Sequence, residues 1–185
     1  MLMKKKFKTI ERIRKDSPSP QNSIRLHRAE FGDTLKKKYN INNYYPDTLK
    51  LLNSLSKFYK INNEFIALGL GAEGVIKDIF LTLYLKGNKE RVLTTSPNFF
   101  MYNYYSKLFN FKFNQIEILD KRKNLINLEQ LISEIKKKKI SFLILVNPSS
   151  PIEKIWTRSE ILQILKYCEK KKILVLLDEV YNQDL

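Results

Sequence analysis

Two short apolar runs near the end of the chain constrain the fold most. Ile140-Ser-Phe-Leu-Ile-Leu-Val146 is nearly all apolar and ends at Asn147-Pro148, and Ile173-Leu-Val-Leu-Leu177 closes on Asp178. A strand with one wet face alternates apolar with polar residues; an unbroken run of this length fits a strand covered on both faces. Between the two runs, Thr157-Arg-Ser-Glu160 reads as a capping box. It opens a helix to about Lys170 whose inner face is Ile161, Ile164, Leu165 and Cys168. Doubly buried strands joined by an amphipathic helix predict an α/β domain with a mainly parallel sheet.

The same alternation runs upstream. Pro46 opens a helix to about Tyr59, since proline is tolerated in a first helical turn. Phe65 to Leu70 is expected to be a short strand, and Glu73 to Leu85 a helix with Ile76, Ile79, Phe80 and Leu83 on one face. Arg91 to Thr95 reads as a strand, Phe99 to Phe109 as an aromatic helix and Lys112 to Leu119 as a strand. Leu128, Leu131, Ile132 and Ile135 mark a further helix. Residues 1–40 are expected to be a basic arm and linker, with Ser17-Pro-Ser-Pro-Gln-Asn as a turn-forming stretch that excludes helix.

Length and composition narrow the function classes. A chain of 185 residues, 43% hydrophobic and 29% charged, is neither disordered nor fibrous and has room for one globular domain. No apolar run approaches the ~20 residues that span a bilayer, and no apolar block follows Met1-Leu-Met-Lys-Lys-Lys-Phe, so neither a membrane helix nor a secretory signal is expected. A single cysteine, Cys168, forbids an internal disulfide and favours a reducing cytoplasm. The formal charge of +15 raises affinity for phosphate-bearing partners. The lysines come in runs (Lys4 to Lys6, Lys36 to Lys38, Lys136 to Lys139, Lys170 to Lys172) in a tail, at helix ends or in connections, which is how a solvated surface looks. No aromatic-basic interleaving marks a nucleic-acid surface, and no metal-ligand cluster is evident. His27, the only histidine, reads as an arm residue, and Cys168 as core.

Four segments stand where a parallel sheet places its sites, beyond the carboxyl ends of strands. Leu68-Gly-Leu-Gly-Ala-Glu-Gly74 could bring helix-start amides to a phosphate, or be a plain turn. Ser96-Pro-Asn-Phe-Phe-Met-Tyr102 offers an aromatic for stacking, or for the core. Asn147-Pro-Ser-Ser-Pro151 is by itself only a rigid loop. In Leu177-Asp-Glu-Val-Tyr181, Asp178 follows five apolar residues, so its carboxylate should be partly buried and needs a partner; a capping or ion-paired role suits it as well as a catalytic one.

Taken in order, these four segments resemble the fold-type I pyridoxal-phosphate aminotransferases, most closely the histidinol-phosphate aminotransferase branch. Ile24-Arg-Leu-His-Arg-Ala-Glu-Phe31 and Tyr44-Tyr-Pro-Asp47 add to the likeness, which extends from about Ile24 to Leu185. The resemblance implies a three-layer large domain over residues 41–185, pyridoxal phosphate as cofactor, small-molecule amino donor and carbonyl acceptor, and a homodimer. It implies that Gly71, Ala72 and Glu73 give backbone amides to the cofactor phosphate, and that Phe99 stacks on its ring. Asp178 would pair with the pyridine nitrogen, Tyr181 and Ser150 would bond the phenolic oxygen, and Tyr45 would reach the neighbouring subunit's site. Two departures follow. Ser150 stands where the family has Asn, and Ile152-Glu153 replaces Thr-Gly. The family's Schiff-base lysine and its phosphate- and carboxylate-binding arginines fall beyond Leu185. The sequence is therefore expected to be an N-terminal fragment, incomplete at its C-terminus and inactive alone. A threonine-phosphate decarboxylase, a truncated non-catalytic homologue and a basic nucleic-acid binder are the alternatives.

Overall fold

The structure, a computed structural model, describes residues 48–119, 125–150 and 154–181. The expected boundary at residues 40 and 41 lies outside them, as do His27, Tyr45 and Pro46. The chain divides into two compact units between Ile66 and Ala67. In the first, helix α1 (Thr48–Tyr59) ends at Lys60, whose φ is 55°. A 3-10 turn over Asn63–Phe65 follows, and Asn63 Nδ2 donates to Asn53 Oδ1 on α1.

The second unit holds α2 (Gly71–Leu85), β1 (Arg91–Ser96), α3 (Met101–Leu108), β2 (Lys112–Glu117), α4 (Leu128–Lys137), β3 (Phe142–Val146), α5 (Arg158–Lys171) and β4 (Leu174–Asp178). The four strands form one sheet in the order β2-β1-β3-β4, and every pair is parallel. Each expected element from Glu73 onward is present, with ends moved by a residue or two. The strand expected over 65–70 is not. Phe65 N and Ile66 N donate to Asn62 O and Asn63 O at 2.9 and 3.0 Å, so this backbone closes a local turn instead of joining a ladder. Asparagine favours such turns, and no described strand pairs with the segment.

Alternation along β3 explains why its sequence is unbroken. Phe142, Ile144 and Val146 point to one face, where they meet Ile76, Phe80 and Leu83 of α2 and Met101, Tyr102 and Tyr105 of α3. Leu143 and Leu145 point to the other, against Leu131 and Ile135 of α4, Ile164 and Cys168 of α5, and Trp156. Helices on both faces of one sheet make three layers. All five residues of β3 are buried. β4 is not buried as its composition suggested: Leu174 is exposed and the other four residues are half-buried. Its apolar run matches that of β3, but it is the edge of the described sheet and has a neighbour on one side only.

Strand order and layers are linked by handedness. β1 reaches β2 through α3 on one face; β2 then reaches β3, on the far side of β1, through α4 on the opposite face. Right-handed crossovers require a change of face when the direction of sheet growth reverses. That reversal lies between β1 and β3. Their carboxyl ends diverge into connections on opposite faces and leave a crevice, which is where open parallel sheets bind ligands.

Candidate active site

The loops flanking the reversal are each fixed by an asparagine-centred network, half-buried at Asn98 and buried at Asn147. After β1, Asn98 Nδ2 donates to Thr94 Oγ1 at 2.9 Å and to Thr95 O, which folds Ser96 to Phe99 back onto the strand. Phe99 then stands at the entrance to α3, 40% exposed, with its ring edge-on to Tyr102 at 6.0 Å. After β3, buried Asn147 donates its amide to Asp178 O and accepts from Trp156 N at 2.8 Å through its side chain. This binds the end of β3 to that of β4 and sets the following turn. Ser150 is exposed on that turn and lines a cleft of about 360 Å³ with Pro148, Ser149, Ile155 and Tyr181.

Asp178 is the last residue of β4, in register with Val146. Its carboxylate is half-buried, as five preceding apolar residues predicted. One oxygen accepts from the Tyr102 hydroxyl, and the other accepts from Val180 N at 3.1 Å. Tyr102 is 1% exposed. Burial, reinforced by the Asp178 carboxylate and by Tyr181, pushes its phenol far above the ordinary value, so at neutral pH it is a donor. Tyr181, in the turn that follows β4, is exposed beside the cleft.

The start of α2 presents a different surface. Gly71 has φ +69°, a conformation that favours glycine, and Gly71, Ala72 and Glu73 are all exposed. Leu70, which precedes them, gives no side-chain cap, whereas α4 and α5 both begin with complete capping boxes. The first amides of α2 are therefore unclaimed by a side-chain cap. Gly69 is needed for a second reason, because a Cβ there would overlap the Val75 side chain. The Glu73 carboxylate is turned towards α3, where it accepts from Tyr105 at 3.1 Å. Burial and this carboxylate raise the Tyr105 phenol. Among the described residues no strand precedes Gly71, contrary to expectation, so its place is set by α2 packing on α3 and not by a strand end.

Of the expected residues, Phe99, Asp178, Tyr181 and Ser150 gather around the carboxyl ends of β1, β3 and β4. Glu73 is tied to the same helix, α3, that touches Asp178. Tyr45 lies outside the described residues. Tyr102 was missed by sequence reasoning. It stands one turn after Phe99 in a run that reads as core aromatics; the signal was its hydroxyl, since a buried tyrosine needs a partner and a buried carboxylate needs a donor. Among the described residues no three His, Cys, Asp or Glu side chains could hold a metal.

Comparison with known proteins decides the family. The family described as aminotransferase class I and II matches residues 7–183. The chain belongs to the class I and II aminotransferases. Among curated aminotransferases, it is 32% identical over 164 residues to the histidinol-phosphate aminotransferase of Clostridium kluyveri, covering 87% of this chain and 45% of that protein. It is 30% identical to the Pelagibacter ubique enzyme of the same name over 140 residues, 74% of this chain and 37% of that one. The chain thus spans less than half the length of these relatives. Among solved structures, the histidinol-phosphate aminotransferase of Clostridium acetobutylicum aligns with a TM-score of 0.59 and 23% identity, over 80% of this chain and 42% of that one. The L-threonine-O-3-phosphate decarboxylase of Porphyromonas gingivalis aligns with a TM-score of 0.62 and 21% identity, over 80% and 41%. At those identities the structural likenesses establish the aminotransferase fold.

Proposed function

We propose that this chain forms the cofactor-binding part of a pyridoxal-phosphate aminotransferase large domain, within residues 41–185. The reaction is amino-group exchange between an amino acid, or an amino-alcohol phosphate, and a 2-oxo acid or related carbonyl. The observation that carries this reading is Asp178: a half-buried carboxylate at the end of β4, held from both sides by Tyr102 and Val180 N.

The donor set fits the cofactor. Uncapped amides at Gly71, Ala72 and Glu73 suit a phosphate dianion at the positive end of α2. Phe99, partly exposed, can lie on a planar ring; it lacks the hydroxyl of a tyrosine but keeps the face that stacks. Asp178 retains free acceptor lone pairs beyond its two hydrogen bonds and can receive a pyridinium N–H. Tyr181 and Ser150, which share the cleft, carry hydroxyls for the phenolic oxygen. The Ser150 hydroxyl can donate the same bond as an asparagine amide, from a shorter side chain. When bound, the cofactor supplies an electron sink for the substrate α-carbon, and Asp178 keeps that sink charged.

Relatives bearing the name histidinol-phosphate aminotransferase support an amino-alcohol phosphate as donor. Tyr45 would complete the phosphate site of a second subunit, which makes the working unit a homodimer. Among the described residues no helix is long and apolar enough to cross a membrane, and the site of action proposed is the cytoplasm. The test joins this segment to the remaining half of a class I and II aminotransferase. Glutamate formed from 2-oxoglutarate and histidinol phosphate supports the proposal; carbon dioxide released from threonine phosphate, without glutamate, overturns it in favour of a decarboxylase.

A further inference from the structure

We propose that Tyr102 is a positioning residue for Asp178, fixing the rotation of the carboxylate and the lone pairs it presents at the end of β4. The inference rests on the cofactor reading above. Tyr102 is buried, on the inward face of α3, with Phe142, Ile144 and Val146 of β3 in the same cluster. Its ring is fixed by that packing and by the edge contact with Phe99. The hydroxyl is thus a stationary donor, and it reaches Asp178 across 76 residues of sequence.

A carboxylate on a short side chain turns about its terminal bond almost freely when one oxygen alone is bonded. With Tyr102 on one oxygen and Val180 N on the other, the carboxylate plane is determined by two independent elements, α3 and the turn after β4. Each oxygen keeps a lone pair. The remaining lone pairs have fixed directions, which a ring nitrogen bearing a proton requires. Tyr102 also shares α3 with Tyr105, which holds Glu73. One helix therefore sets the spacing between the proposed phosphate end and nitrogen end of the site.

Two measurements on the purified chain test this. In the first, NMR of the wild-type protein without ligand should show a slowly exchanging Tyr102 hydroxyl proton with a cross-peak to the Asp178 Cβ protons; its absence overturns the proposal whatever the cofactor does. In the second, pyridoxamine 5'-phosphate is titrated by its fluorescence. It has no aldehyde, so surface lysines do not condense with it. Tyr102→Phe should weaken binding on the order of tenfold, in keeping with loss of one hydrogen bond to a charged group. It should also lower the pH at which the bound ring loses its nitrogen proton, an effect that a packing defect alone does not give. In an Asp178→Ala background Tyr102→Phe should change affinity no further. Independent, multiplying losses, or wild-type affinity in Tyr102→Phe, overturn the proposal while leaving the cofactor reading standing. A wild-type chain with a hydroxyl cross-peak but no saturable binding overturns the cofactor reading, and the role of Tyr102 with it.

Discussion

Asp178 and Cys168 differ in the hydrogen-bond partners that burial leaves them. Asp178 stays usable because two donors reach it. Cys168 has no such help: it is buried against α4 and the sheet, and desolvation pushes its thiol up to about 11. At pH 8 the folded protein should react with a thiol reagent orders of magnitude more slowly than the urea-unfolded chain, because the thiolate is the nucleophile; equal rates would contradict the burial. The sign of the linked stability follows. The folded thiol holds its proton to higher pH than the unfolded one, so this contribution is complete below the ordinary thiol value and is lost as pH rises towards about 11. At this scale the sequence was informative about Cys168, whose helical spacing put it inward, and about Asp178, whose apolar run buried it. For Tyr102 the hydroxyl signalled the need of a partner but not which one, because a pairing across 76 residues has no local signature.

Among the elements, α5 has a start defined by a complete capping box. Thr157 accepts from Glu160 N at 3.2 Å, and the Glu160 carboxylate accepts from Thr157 N at 2.8 Å. The Thr157 amide first, then its hydroxyl and Lys154, hold the Glu160 carboxyl below the ordinary carboxylate value. A depressed folded value gives stability that is present above the unfolded value and lost as pH falls through the folded one. Thr157→Ala should cost about 1 kcal/mol in urea unfolding at neutral pH. Glu160→Gln should flatten the decline in stability on acidification; an unchanged decline would show that the box is not ionically supported. The box was legible because its residues are three apart in sequence. The missing strand over 65–70 was not, because apolar composition there matches a strand while Asn62 and Asn63 fold the backbone locally. A strand needs a neighbour, and only the tertiary structure supplies one. Gly71→Ala tests the start of α2: no atom lies near the added Cβ, so the cost, about 1–2 kcal/mol, is the positive φ alone.

For the whole molecule, the reversal of strand order between β1 and β3 organises both core and site. Leu143, fully buried on the central strand, should cost about 2–5 kcal/mol when replaced by alanine, whereas Leu174→Ala on the exposed edge should cost well under half of that. Equal costs would place β4 inside the sheet. The positive charge is partly engaged within the molecule: Lys138 and Lys137 lie 3.1 and 3.7 Å from Glu134, and Lys136 lies over the Tyr167 ring. These lysines stand at the negative end of α4, where cations are stabilised. The parallel sheet was legible from two continuous apolar runs, but the strand order was not, since parallel strands of similar composition carry no label for their neighbours. The most direct test of the account is backbone-amide NMR of the chain during titration with pyridoxamine 5'-phosphate. The account predicts that Gly71, Ala72 and Glu73 shift together with Val180 and Tyr181, with one shared dissociation constant. Shifts confined to the lysine runs, or no saturable shift at Gly71 to Glu73 and Val180, would contradict it.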